Sequence, residues 1–100
     1  MRYGLSTSVI NQLSGVFASF SKVERVLLFG SRAQGTFRDG SDIDLAVIAP
    51  TMSRAEFSEL WAEVDALPLV FKVDCLNWDE LDNTALKEKI MATGELFYAR

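Results

Sequence analysis

Four residues in the first half of the chain have the types and spacing to do chemistry together: Gly30, Ser31, Asp42 and Asp44. Gly30-Ser31 ends a short apolar run, residues 25–29, and opens a stretch rich in Gly, Ser, Arg and Asp. Where a strand turns into a helix, the first backbone N–H groups have no internal partner, and the helix dipole favours an anion there. A glycine at that turn lets a phosphate approach the backbone closely, and the Ser31 hydroxyl adds a donor. Asp42 and Asp44 stand two apart in a segment that reads as a strand, so both side chains leave the same face. Adjacent carboxylates repel unless a cation sits between them. Mg²⁺ favours a few carboxylates completed by substrate phosphate oxygens. An anion cradle beside a carboxylate pair therefore suits a nucleoside triphosphate carried with Mg²⁺.

Asp74 extends this group. It lies between Val73 and Cys75 in a later apolar run, where an unpaired carboxylate would be costly to bury. If that run pairs beside the strand of Asp44, three carboxylates meet and can hold two metal ions. One would activate an attacking hydroxyl, and the other would hold the triphosphate and the leaving group. The alternative is a solvated edge-strand residue, or a partner of Lys72 or Arg25. Arg32 and Arg38 lie in the loop that would face the triphosphate, and guanidinium groups suit phosphate oxygens; a surface charge is the plainer reading of each. Ser41 joins them as a nucleotide-side residue and also reads as a turn residue that orients the loop.

These residues need elements to position them. Val9, Ile10, Leu13, Val16, Phe17 and Phe20 mark one face of an amphipathic helix over 6–20. Residues 25–29 read as a buried strand, 30–41 as a turn, a short helix and a loop, and 42–48 as a second strand closed by Pro50, with Ile43, Leu45 and Val47 facing the core. Ser53-Arg54-Ala55-Glu56 has the spacing of a capping box. Phe57, Leu60, Trp61 and Val64 follow as a core stripe, which predicts a helix over about 53–66 stopped by Leu67-Pro68. Residues 69–76 read as a third strand. Asn83 or Thr84 can cap a last helix with Leu86, Ile90 and Met91 inward and Gly94 at its end, and Leu96-Phe97-Tyr98 as a strand or packed tail. Trp78, beside Asp79 and Glu80, fits the core less well and reads as a partner-contact candidate.

Composition bounds the function. With 100 residues and 49% apolar side chains, the expectation is one small soluble α/β domain over 1–100: a mixed sheet of three to four strands, helices mainly on one face. The absence of histidine excludes Ser-His-Asp, Cys-His and His-ligated zinc chemistry, leaving a carboxylate, lysine, tyrosine or water as base. A net charge of -4 disfavours a nucleic-acid partner. Cys75 reads as a core thiol in a reducing compartment. No signal peptide or run of 18 apolar residues is present, so a cytoplasmic protein with no membrane partner is expected.

The run Phe29-Gly30-Ser31-Arg32-Ala33-Gln34-Gly35 ahead of Ser41-Asp42-Ile43-Asp44-Leu45 resembles the signature of DNA polymerase β-like nucleotidyltransferases: Gly-Ser, ten residues, Asp-x-Asp. Within that superfamily it is most similar to the small prokaryotic branch called MNT, the minimal nucleotidyltransferases. The resemblance implies the polymerase β-like fold, ATP as substrate with two Mg²⁺, and AMP transfer to a protein hydroxyl. It also implies a helical HEPN-domain partner in a toxin–antitoxin module, the acceptor often being a tyrosine of that partner. Asp74 matches the third carboxylate by position alone. No residues are left over to carry an acceptor, so a partner chain or self-association into a homo-oligomer is expected to supply it. A non-catalytic subunit that neutralises a partner by occlusion, or a nucleotide sensor, is the alternative.

Overall fold

The computed structural model describes residues 2–100. Ser6 accepts the Val9 N–H and starts helix α1, Thr7–Ser19. The chain then forms β1, Arg25–Phe29, a one-turn helix α2, Ser31–Gln34, and β2, Ile43–Ile48. Helix α3, Arg54–Asp65, opens on the capping box read from the sequence: Ser53 accepts the Glu56 N–H, and Glu56 accepts the Ser53 N–H. Strand β3, Val73–Asn77, a 3-10 turn, Trp78–Glu80, helix α4, Thr84–Thr93, capped by Asn83, and strand β4, Glu95–Ala99, complete the α+β order.

The sheet runs β3-β2-β1-β4. β2 pairs antiparallel with β1 and parallel with β3, and β1 pairs antiparallel with β4. Val26, Leu28, Ile43, Leu45, Val47, Cys75 and Phe97 share a core with Leu13, Val16 and Phe17 of α1 and Leu60 and Val64 of α3. A bulge in β4 lets both Phe97 and Tyr98 meet Phe17, at 6.5 and 6.0 Å between ring centroids. α4 lies against β1 on the side to which Phe29 points, where Leu86 and Ile90 share a small cavity with Phe29 and Gly30.

Three expectations need correction. The third strand starts at Val73 rather than at residue 69, and Leu69–Lys72 crosses irregularly into it. An apolar run does not distinguish a strand from a packed crossover. Met91 points outward at 66% exposed, because one turn of contact by Leu86 and Ile90 is enough to seat α4. Trp61 is 36% exposed, at the margin of the α3 stripe rather than inside the core. Trp78 is half-buried, with the Lys87 ammonium 5.0 Å from its ring centroid.

Glu56 also accepts a hydrogen bond from Lys22 at 2.9 Å, pinning α3 to the segment after α1. The Ser53 backbone N–H, then Lys22, hold its carboxyl down at about 2, against an ordinary 4.5. A depressed carboxyl stabilises the fold above its unfolded pKa, and that stabilisation is lost as pH falls through the folded one. Glu56→Gln is therefore expected to lower stability by a constant amount above about pH 4.5, with the difference closing as pH approaches 2. Urea unfolding across that range checks it; a difference independent of pH would contradict it.

Candidate functional site

β1 ends at Phe29, and Gly30 turns the chain with φ +76° and ψ −157°, a backbone region that glycine enters without strain. Register then brings the turn to the carboxylates. In the β1–β2 ladder Phe29 faces Asp44, so Gly30 lies next to that side chain. A Cβ built on Gly30 would come 2.6 Å from Asp44 Oδ2. Glycine is needed there twice, for its dihedrals and for the carboxylate that occupies the space of a side chain.

The parallel β2–β3 ladder sets Asp44 opposite Asp74. It begins one step earlier, where the Ile43 N–H donates to the Lys72 carbonyl at 2.9 Å. Asp42 stands exposed just before β2, and Asp44 and Asp74 are part-buried. Asp44 is thus the centre of the group, with the Gly30 turn on one flank and Asp74 on the other. Its carboxyl is pushed above the ordinary value first by burial, then by the charges of Asp74 and Asp42, with Lys72 opposing. The Lys72 ammonium lies 4.0 Å from Asp74 Oδ2, so the pairing with Lys72 is present beside the register that sets Asp74 opposite Asp44. Among the described residues, no three acidic, cysteine or histidine side chains converge tightly enough to hold an ion as they stand.

The donor set fits Mg²⁺. It consists of hard carboxylate oxygens, with Cys75 kept out because burial, then Asp74, push its thiol up to about 12. The phosphate side differs from the sequence expectation. α2 has four residues, too short for a strong dipole, so anion attraction there rests on the free N–H groups of the turn itself. Lys89 of α4 lines the same small cavity as Gly30. It brings a cation to the turn that nothing in the sequence marked, since only the docking of α4 places it.

The loop arginines separate. Arg38 is exposed and lines a cavity of about 610 Å³ with Phe37, Asp39 and Gly40. Arg32 is 3% exposed, and its guanidinium is spent on the Ser41 and Tyr3 carbonyls. Its assignment to the nucleotide is therefore corrected, because a side chain committed to two backbone oxygens is held inside the fold. Ser41 is a turn residue: its hydroxyl accepts the Arg38 N–H at 2.8 Å and its N–H donates to the Arg38 carbonyl. Asp79, which the sequence reading passed over, accepts the Ala49 N–H at 2.8 Å and closes the far end of β2.

Gly30→Ala is expected to cost about 1–3 kcal/mol through backbone strain alone, plus the collision with Asp44. In an Asp44→Ala background the collision term disappears, so the penalty should shrink. Chemical unfolding of the four proteins of this cycle measures it; equal penalties in both backgrounds would contradict the contact.

The chain resembles solved structures of known kind. A toxin–antitoxin complex with AMP-PNP matches at 27% identity and a TM-score of 0.73, over 91% of this chain and 73% of that one. A point variant of the toxin–antitoxin MntA–HpeT matches at 28% identity and 0.69, over 96% and 74%. The Shewanella oneidensis complex of a tri-AMPylated HEPN toxin with an MNT antitoxin matches at 22% and 0.67, over 96% and 74%, a likeness of fold. Comparison with curated proteins gives no match. The family described as Polymerase beta, Nucleotidyltransferase matches residues 11–100. The chain belongs to that family, the DNA polymerase β-like nucleotidyltransferases.

Proposed function

We propose that the chain transfers AMP from ATP to a hydroxyl of a helical, HEPN-like partner protein, in the presence of Mg²⁺, and so acts as the antitoxin of a two-protein module. The observation that carries this reading is the contact between the Gly30 turn and Asp44, with Asp74 opposite in register. It sets the glycine turn, whose backbone N–H groups can face a phosphate, directly beside the central carboxylate. Support for the nucleotide and the partner comes from the similar toxin–antitoxin structures, one of them with AMP-PNP.

In this reading Gly30 and Ser31 hold the triphosphate, with Arg38 at the mouth of the loop. Asp42, Asp44 and, by position, Asp74 would hold Mg²⁺, with two ions expected. When bound, Mg²⁺ would neutralise the charge that builds on the phosphates and make the acceptor hydroxyl a better nucleophile. The acceptor oxygen forms a bond to the α-phosphorus, the α–β anhydride bond breaks, and pyrophosphate leaves. The acceptor proton passes to a carboxylate; Asp74, on the outer strand, would take it or complete the metal site. Positioning and charge neutralisation supply most of the rate in such transfers. No described helix is long and apolar enough to cross a membrane, and nothing in the proposal calls on one.

The test is transfer of label from α-labelled ATP with Mg²⁺ into a co-expressed partner, beside the Asp42→Ala/Asp44→Ala variant. Label on the partner that disappears with the variant is the expected result. A variant that still neutralises the partner fully, with no label transferred by either protein, would replace transfer with occlusion.

A further inference from the structure

Among the described residues, Arg32 is the one charged side chain that the fold buries. Its guanidinium has no carboxylate within ion-pair distance among them. It lies between two rings, 5.2 Å from the Phe37 centroid and 4.9 Å from that of Phe71. Nε and Nη2 both donate to the Ser41 carbonyl, at 3.1 and 2.8 Å, and Nη1 donates to the Tyr3 carbonyl at 2.9 Å. Burying a cation without a counter-ion is costly, and a neutral residue would fill the same space. What the guanidinium adds is a rigid fork of donors with two flat faces.

Two of those contacts, to Ser41 and Phe71, end next to the site. The Ser41 carbonyl belongs to the peptide that leads into Asp42. Phe71 precedes Lys72, whose carbonyl accepts the Ile43 N–H where β2 and β3 first meet, and Asp74 follows within β3. Arg32 itself follows Ser31 at the triphosphate turn. One side chain therefore grips the chain just ahead of both carboxylate strands and is rooted at the glycine turn that ends β1.

We infer that Arg32 is a positioning residue: its fork sets the Ser41–Asp42 peptide and the approach to Asp74, and so the spacing of the three carboxylates from one another and from Gly30-Ser31. The inference rests on the metal-dependent reading above. The grip extends to the N-terminal turn, where Arg2 and Leu5 exchange backbone hydrogen bonds at 3.1 and 2.7 Å. Tyr3 holds φ +58° there, a strained value for a residue with a side chain. Its carbonyl is taken by Arg32, and Leu5 beside it is fully buried. Gly4, φ +71°, has no room for a side chain: a Cβ would strike the Phe37 ring and come 3.0 Å from Arg32 Nη1. Gly4 belongs to no motif, yet it abuts two members of the clamp.

The experiment is Mn²⁺ binding, followed by electron paramagnetic resonance in the presence of AMP-PNP. It compares wild type, Arg32→Met, Arg32→Lys and Gly4→Ala, each at a temperature where circular dichroism shows it folded. Arg32→Met is expected to weaken Mn²⁺ binding by about 10–100-fold, the usual effect of removing a group that orients metal ligands. Arg32→Lys keeps the charge without the fork and should fall between it and wild type. Gly4→Ala should shift binding in the same direction by less. If Arg32→Met does not fold, the other two variants decide. Wild-type Mn²⁺ affinity in variants whose melting temperature alone has dropped would overturn the inference. A wild-type protein that binds no Mn²⁺ would overturn the metal reading itself.

Discussion

A part-buried carboxylate set among like charges, Asp44 beside Asp74 and Asp42, is the constraint on which the rest of the structure depends. Asp44 is the focus: burial and the charges of Asp74 and Asp42 all raise its carboxyl. A fold gains nothing from such an arrangement in isolation, because each carboxylate makes its neighbours harder to ionise. The cost is tolerable because Asp42 is exposed, Asp44 and Asp74 are part-buried, and Lys72 partly offsets them. In the proposed reading a divalent cation would turn the same repulsion into attraction, and a triphosphate would complete its ligands.

The surrounding elements serve that cluster. The core between the sheet and α1 and α3 fixes β2 so tightly that Ile43, Leu45 and Val47 are fully buried. The pleat then leaves Asp44 on the opposite face with nowhere else to go. The parallel register to β3 supplies Asp74, and the antiparallel register to β1 supplies the Gly30 turn. Arg32, Phe37 and Phe71 brace the loop that brings Asp42 to the strand. Catalytic precision in a chain of this size has to come from such register relations and braces, because few layers of side chains stand behind the site.

Much of this was legible in the sequence, for physical reasons. The alternation of Asp42, Ile43, Asp44 and Leu45 fixes which side chains share a face, and Gly30-Ser31 marks a strand end that tolerates close approach. Ser53 and Glu56 announced the start of α3 through a pairing that is local in sequence. What was hidden depends on contacts between distant segments. Arg32 looked like a phosphate ligand because its loop is polar; its burial depends on Phe71 and on the Tyr3 carbonyl, far along the chain. The late start of β3 has the same cause, since Leu69 and Phe71 are apolar for the crossover and the clamp rather than for a strand. Lys89 and Asp79 reach their places only through the docking of α4 and of the 3-10 turn.

The most direct measurement is the melting temperature of Asp44→Asn against wild type, at neutral pH and low salt, first in EDTA and then with saturating Mg²⁺ and ATP. Asparagine keeps the shape beside Gly30 and removes the central charge. Without metal, the variant should melt about 1–3 °C higher, a small gain because the carboxylates are partly exposed and screened. With Mg²⁺ and ATP the order should reverse, because the variant has lost the ligand that the cation needs. A variant that melts below wild type in both conditions would mean that Asp44 is an ordinary structural carboxylate, and the account built on its strained charge would fail.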